Sequence, residues 1–107
     1  MKLGILLWQQ AAAWSELLDA AKRIDRLGYA HLWTWDHLYP IVGSPVGPIM
    51  EGWLTLSAWA QATERVRIGQ MVTCNGYRNP ALFAKIASTV DVASNGRLDA
   101  GIGAGWH

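Results

Sequence analysis

Three observations predict an α/β fold with a parallel sheet. Apolar runs and amphipathic stretches alternate as β-α-β-α-β-α-β over 107 residues. The first run is apolar on both faces, as expected of a strand covered by helices. Each strand-to-helix connection is rich in polar or aromatic residues, whereas the helix-to-strand turns are short and plain. Repeated βα units imply parallel strands. The asymmetry between connections places a site at the C-terminal strand ends, as in (β/α)8 barrels and open α/β sheets. A barrel takes eight strands and roughly 250 residues. This sequence supplies about four βα strands, the N-terminal half of a (β/α)8 TIM barrel.

The elements follow in order. Residues 2–8 read as a buried strand with Gly4 inside it, and 9–13 as a connector. Trp14 to Leu27 reads as a helix, with Ser15 as N-cap, Glu16 in the first turn and Gly28 as the stop. Its stripe is Leu17, Leu18, Ala21, Ile24 and Leu27. Tyr29 to Trp35 is the second strand, ending in Asp36-His37. Residues 38–50 carry Pro40, Pro45, Pro48, Gly43 and Gly47, which exclude regular structure. A loop that long is usually a lid or a binding loop. Glu51 to Thr63 is the second helix, with Trp53, Leu54, Leu56, Ser57 and Ala60 near one face and Trp59 lateral. Val66 to Thr73 is the third strand. Asn79 caps a third helix and Pro80 opens it, with Leu82, Phe83, Ile86, Ala87 and Val90 as its stripe. Asn95-Gly96 ends that helix, and Arg97 to Ala104 is the fourth strand.

The totals bound the function. At 51% hydrophobic and 16% charged the chain is a folded domain, and at this length it is one domain. A net charge of +1 with scattered basic residues gives no footprint for nucleic acid or an anionic membrane. No apolar run is long enough to span a bilayer, and no signal-peptide cleavage pattern follows the N-terminal run. A single cysteine, Cys74, excludes an intrachain disulfide and suits a cytoplasmic setting.

Trp33-Thr34-Trp35-Asp36-His37 concentrates the chemistry. His37 at a strand tip can give or take a proton near neutral pH, and Asp36 beside it can orient a ligand or bind a donor. The alternative is a histidine that only caps a helix or bonds a backbone carbonyl. His31 sits within the second strand and reads as structural. No His, Cys and carboxylate spacing suits a metal. Gly101, Gly103 and Gly105 lack the following glycine and helix of a dinucleotide fingerprint. They let a flat ring or a neighbouring strand approach the backbone. Cys74 lacks a fixed cationic neighbour and reads as a packed thiol. Trp8, Trp33, Trp35 and Trp106 fall near strand ends and can wall a cavity for a planar cofactor.

Taken together, Lys2-Leu3-Gly4-Ile5, Leu32 to His37, Val66-Arg67-Ile68-Gly69, Tyr77-Arg78-Asn79-Pro80-Ala81, Ser94-Asn95-Gly96-Arg97-Leu98 and Gly101 to His107 resemble, in order, the bacterial luciferase-like superfamily. The likeness is greatest to its F420-dependent oxidoreductase branch. It covers the whole chain as a partial domain, residues 1–107, roughly the first third of a family member. The resemblance implies a (β/α)8 barrel that binds coenzyme F420, or alternatively FMN, at the C-terminal strand ends. It implies hydride transfer involving an unknown small organic substrate, or FMN-dependent monooxygenation. It also implies that Asp36 lies near the deazaflavin and that His37 acts in proton transfer or in stabilising charge at the reacting centre. A third-strand bulge, sometimes with a non-prolyl cis peptide, would map within Met71 to Asn75. The implied cofactor contacts are Asp36, His37, Val72, Thr73, Cys74, Asn75 and Gly105. Trp106 stands where some sugar and alcohol dehydrogenases of the family have Glu, and the family's phosphate-binding elements lie in later strands. A reading of another class is a non-catalytic fragment or structural subunit. Its open sheet edges would pair with a complementing C-terminal half or with another copy.

Overall fold

A computed structural model describes residues 1–105, so Trp106 and His107 lie outside the described residues. Four strands form one sheet in chain order: β1 (Gly4–Leu6), β2 (His31–Thr34), β3 (Arg67–Cys74) and β4 (Leu98–Gly103). The helices α1 (Trp14–Arg26), α2 (Gly52–Ala62) and α3 (Pro80–Ala93) link them. All neighbouring strands are parallel, with Ile5 opposite Leu32, Leu32 opposite Ile68, and Ile68 opposite Leu98. This is the four-stranded parallel α/β arrangement that the repeated βα pattern predicts.

Alternation along each strand sorts the side chains between two faces. Leu32 and Ile68 point toward the helices and are fully buried with Ala21, Leu56, Trp59 and Val66. Among the described residues no helix covers the other face. There Gly4 adjoins His31 and Trp33, and the Trp33 ring lies over Gly69, where a Cβ would come within 2.5 Å of it. Below them, Arg67 grips Asp99 at 2.6 Å and His31 stands 3.5 Å from the same carboxylate.

Some expected packing is revised. The first strand is not buried on both faces. Ile5 and Leu7 pack on the core while Leu6 is exposed, because β1 is an outer strand with helices on one side only. Trp59 is a fully buried core residue and Leu54 is exposed. Positions 52, 53, 56, 59 and 60 recur at spacings of three and four toward the sheet, which turns position 54 outward. Leu27 and Leu82 are likewise exposed at the ends of their stripes. The first residue before α1 is Ala13 rather than Ser15, and Glu16 reaches back to accept its N–H at 2.7 Å. Asn79 caps α3 as expected, accepting the Ala81 N–H at 2.9 Å ahead of Pro80.

Two charged side chains tie the N-terminal ends of the strands. Asp25 on α1 is buried, and its carboxylate accepts the backbone N–H groups of Glu64 and Arg65 at 3.0 Å and of Val66 at 2.7 Å. Burial pushes this carboxyl upward, but the three backbone hydrogen bonds, with the Arg65 charge, outweigh it and hold the group below its ordinary value. Arg97 donates to the carbonyls of Ala60, Thr63, Val66 and Ser94, so it caps the C-terminal end of α2 and pins the entry to β3. Burial lowers the pKa of its guanidinium, which stays cationic all the same.

The β3–β4 ladder is interrupted once. Gln70 pairs with Ala100 and Thr73 with Ile102, so Met71 and Val72 together oppose Gly101. The Met71–Val72 peptide is cis. A Cβ at Gly101 would strike the Gln70 carbonyl, and one at Gly103 would meet the Val72 side chain at 2.5 Å. Of the two roles open to these glycines, the structure shows close approach of the neighbouring strand.

Candidate functional site at the C-terminal strand ends

The end of β2 is held from behind by amides. The Gln9 side chain donates to the Trp35 carbonyl and accepts from the Thr34 hydroxyl. The Gln70 amide, with its nitrogen turned toward the strand, donates to the Thr34 and Trp35 carbonyls at 3.1 Å. Both glutamines are fully buried. The first turn of α2 closes on the same spot, because Gly52 has no side chain. A Cβ there would lie 2.6 Å from the Trp35 carbonyl oxygen and would also strike the Gln70 amide. Gly52→Ala is therefore expected to destabilise the fold by about 1–3 kcal/mol through overpacking. The urea midpoint measures this, and an unchanged midpoint would mean that α2 retreats without cost.

Beyond Trp35 the chain reaches Asp36, which is 5% exposed. Its carboxylate takes a two-pronged contact from Arg78, at 2.6 and 2.8 Å, and the Cys74 N–H at 2.9 Å. Arg78 also bonds Glu51, and Glu51 caps α2 by accepting the Leu54 N–H at 2.7 Å. The hydrogen bond to Asp36 is the main reason the Arg78 guanidinium is held above its ordinary pKa. Of the two tasks foreseen for Asp36, binding a donor is what the carboxylate does here.

His37 lies edge-on to the Trp35 ring, with centroids 5.4 Å apart at 89°. Trp35 in turn stacks on Trp8, with centroids 4.7 Å apart. The Trp8–Trp35 pair backs His37, whereas Trp33 stacks on His31 lower on the sheet.

A pocket of about 310 Å³ opens in front of His37, lined by Asp36, Met71, Val72, Cys74, Tyr77 and the Gly103–Gly105 segment. Of the residues predicted from sequence, Asp36, His37, Val72, Cys74 and Gly105 come together here. Thr73 and Asn75 do not line it. They face a separate cavity of about 30 Å³ toward Pro80 and Phe83 of α3, because Thr73 follows the bulge on the helix side of the strand. Gly105 has φ +86°, and a Cβ on it would press to 2.6 Å from the Cys74 sulfur.

Met71, Tyr77 and Ala104 join the lining without having been singled out. Tyr77 was readable in part, as an aromatic residue in a strand-end loop. Its phenol is pushed to a higher pKa by burial first, then by the neighbouring Cys74 and Asp36 charges, so it remains a neutral donor.

The loop of residues 38–50 is anchored at its base. Gln10 and Ile49 form an antiparallel bridge, and Gln10 donates to the Val42 carbonyl at 2.9 Å and accepts the Ile41 N–H at 3.1 Å. Its outer part carries Tyr39, Val42 and Val46 exposed to solvent. None of the described helices is long and apolar enough to cross a membrane.

Comparison with known proteins agrees with this geometry. The chain is 34% identical over 92 residues to an F420-dependent glucose-6-phosphate dehydrogenase of Amycolatopsis mediterranei, covering 84% of this chain and 27% of that protein. It is 30% identical over 102 residues to 4-hydroxyprotoasukamycin monooxygenase of Streptomyces nodosus subsp. asukaensis, covering 95% and 24%. An F420-dependent secondary alcohol dehydrogenase, solved with an F420-acetone adduct, superposes with a TM-score of 0.88 at 27% identity, over 97% of this chain and 32% of that one. The chain thus spans about a quarter of the length of the curated relatives it matches. The family model for luciferase-like monooxygenases matches residues 1–107 throughout, and on that match the chain belongs to the luciferase-like monooxygenase family.

Proposed function

We propose that this chain forms the first wall of a cofactor site in an oxidoreductase that transfers hydride between coenzyme F420 and a small organic substrate. The observation that carries the reading is the convergence of His37, Tyr77, Cys74 and the Met71–Val72 bulge on one pocket at the C-terminal strand ends. Similarity to F420-dependent relatives supports the choice of cofactor. The lining suits a flat, mostly apolar ring, with Met71 and Val72 beside it and few polar groups to orient it. It contains no lysine or arginine among the described residues, so it suits the ring and not the phosphates of such a cofactor. When bound, the deazaflavin supplies a ring carbon that accepts or releases hydride.

The chain's own residues do the rest. His37 holds or delivers a proton at the reacting oxygen, with its ring steadied by Trp35. Tyr77 lines the same space with a neutral phenol. Asp36, engaged by Arg78 and the Cys74 N–H, orients the wall. Val72, Cys74 and Gly105 touch the cofactor, while Thr73 and Asn75 brace the strand from behind. A complementing C-terminal half, or another copy, would cover the β1 and β4 edges and the exposed Leu6 and Trp8.

A second reading, an FMN-dependent monooxygenase, is supported by the family model and by the monooxygenase relative. Titrating the protein with F420 and with FMN, following cofactor fluorescence, separates the two. Saturable binding of F420 with weaker FMN binding is the expected result. Preference for FMN would favour the second reading. Binding of neither by folded protein would reject both and favour a structural subunit.

A further inference from the structure

Arg78 stands apart from the pocket, yet two of the three strand ends that shape the pocket lead back to it. Its side chain is 11% exposed and is shared by two carboxylates from different parts of the chain. One is Asp36, immediately before His37 at the end of β2. The other is Glu51, which caps α2. Asp36 also takes the Cys74 N–H, at the end of β3. Arg78 is followed directly by Asn79, the cap of α3. One guanidinium therefore links the ends of β2 and β3 to the starts of α2 and α3.

We infer that Arg78 is a positioning residue for the proposed site. By gripping Asp36 and Glu51 together, it sets the distance between the β2 end, which carries His37, and the β3 end, which carries Cys74 and Tyr77. The chemistry calls for arginine. Its planar fork serves one carboxylate with two parallel bonds and still reaches a second, whereas a lysine ammonium acts as a single point of charge. Arg78 does not line the pocket, so any effect on a ligand there must pass through the groups it holds. The inference rests on the cofactor reading for what the site binds, but not for how the wall is built.

Arg78→Lys keeps the charge and loses the fork. Two readouts apply. The first is the affinity for F420 and FMN by fluorescence titration. The second needs no cofactor: the circular-dichroism exciton couplet of the stacked Trp8–Trp35 pair, which reports the geometry of the β2 end. The folded variant is expected to keep its far-UV spectrum, weaken cofactor binding about tenfold or more, and lose part of the couplet. A purely stabilising role predicts otherwise: affinity would return fully once the variant is cooled well below its melting temperature. That return, or affinity within twofold of the parent, overturns the inference. If the parent binds neither cofactor, the functional reading fails on its own, and the couplet alone decides, an unchanged couplet counting against positioning. Should Arg78→Lys not fold, Glu51→Gln removes one arm of the grip while its amide oxygen can still cap α2. It is expected to weaken binding about threefold and to alter the couplet, and no change in either would equally overturn the inference.

Discussion

His37→Ala is expected to slow single-turnover reaction of the cofactor-loaded protein by about 10²–10⁴-fold, the usual contribution of one positioned acid or base. Cofactor affinity should change by only about threefold. The separation follows from the geometry. His37 occupies one side of a pocket whose other contacts come from Met71, Val72, Cys74, Tyr77 and the Gly103–Gly105 backbone. Removing the imidazole leaves those contacts and the Trp8–Trp35 stack behind it in place. What is lost is the group proposed to exchange a proton at the reacting centre. A large loss of affinity at unchanged turnover would make His37 a binding contact, and unchanged turnover with unchanged affinity would remove it from the mechanism.

Asp25→Ala is expected to cost about 3 kcal/mol or more of folding stability, read as a lower urea midpoint at pH 7. Hydrogen bonds to a charged group contribute roughly 1.5–3 kcal/mol each when the partner is left unsatisfied in the interior. Asp25 satisfies three backbone N–H groups at the entry to β3, of which that of Val66 is buried. The pH dependence has a definite sign. The folded carboxyl is held below its ordinary value, so its contribution is complete above the unfolded pKa of roughly 3.9. It fades as pH falls through the lower folded value, because the unfolded chain then binds the proton first. The parent should therefore lose stability below about pH 4 more steeply than Asp25→Ala, and parallel curves would show that the carboxylate is not what holds the turn.

Asp25 also marks the limit of what the sequence makes legible. Periodicity yields the βα order, the α3 cap at Asn79-Pro80 and the position of His37 at a strand end, because each depends on residues a few places apart. Asp25 falls beside the stripe of α1 in sequence, and its partners lie 39–41 residues away. No local pattern announces them. Asp36 is the same case. Its place at the end of β2 is evident, but the carboxylate's partner Arg78 is 42 residues on. Two signals pointed toward it: an arginine directly ahead of a helix cap, and a glutamate ahead of Gly52 at the start of α2. Trp59 and Leu54 exchange roles because the helix stripe is set by the sheet it meets, and the sheet's angle is a tertiary fact. The pocket is legible as a region and not as a set of side chains, since Thr73 and Cys74 differ by one residue and only Cys74 reaches it.

That last point gives the bulge a meaning beyond its local shape. Gln70 and Thr73 are three residues apart, yet both point to the helices, Gln70 beside Gly52 and Thr73 beside Phe83. An uninterrupted strand would send them to opposite sides. The extra residue works like a single-letter insertion in a reading frame: everything before it keeps one phase and everything after it takes the other. Upstream, odd-numbered Arg67 and Gly69 belong to the helix-free face; downstream, even-numbered Val72 and Cys74 do. Were the ladder to run on without the bulge and keep both Met71 and Val72, the phase would not change. The strand would then turn its thiol toward α3 and its threonine toward the pocket, with the composition of the site changed and no side chain substituted.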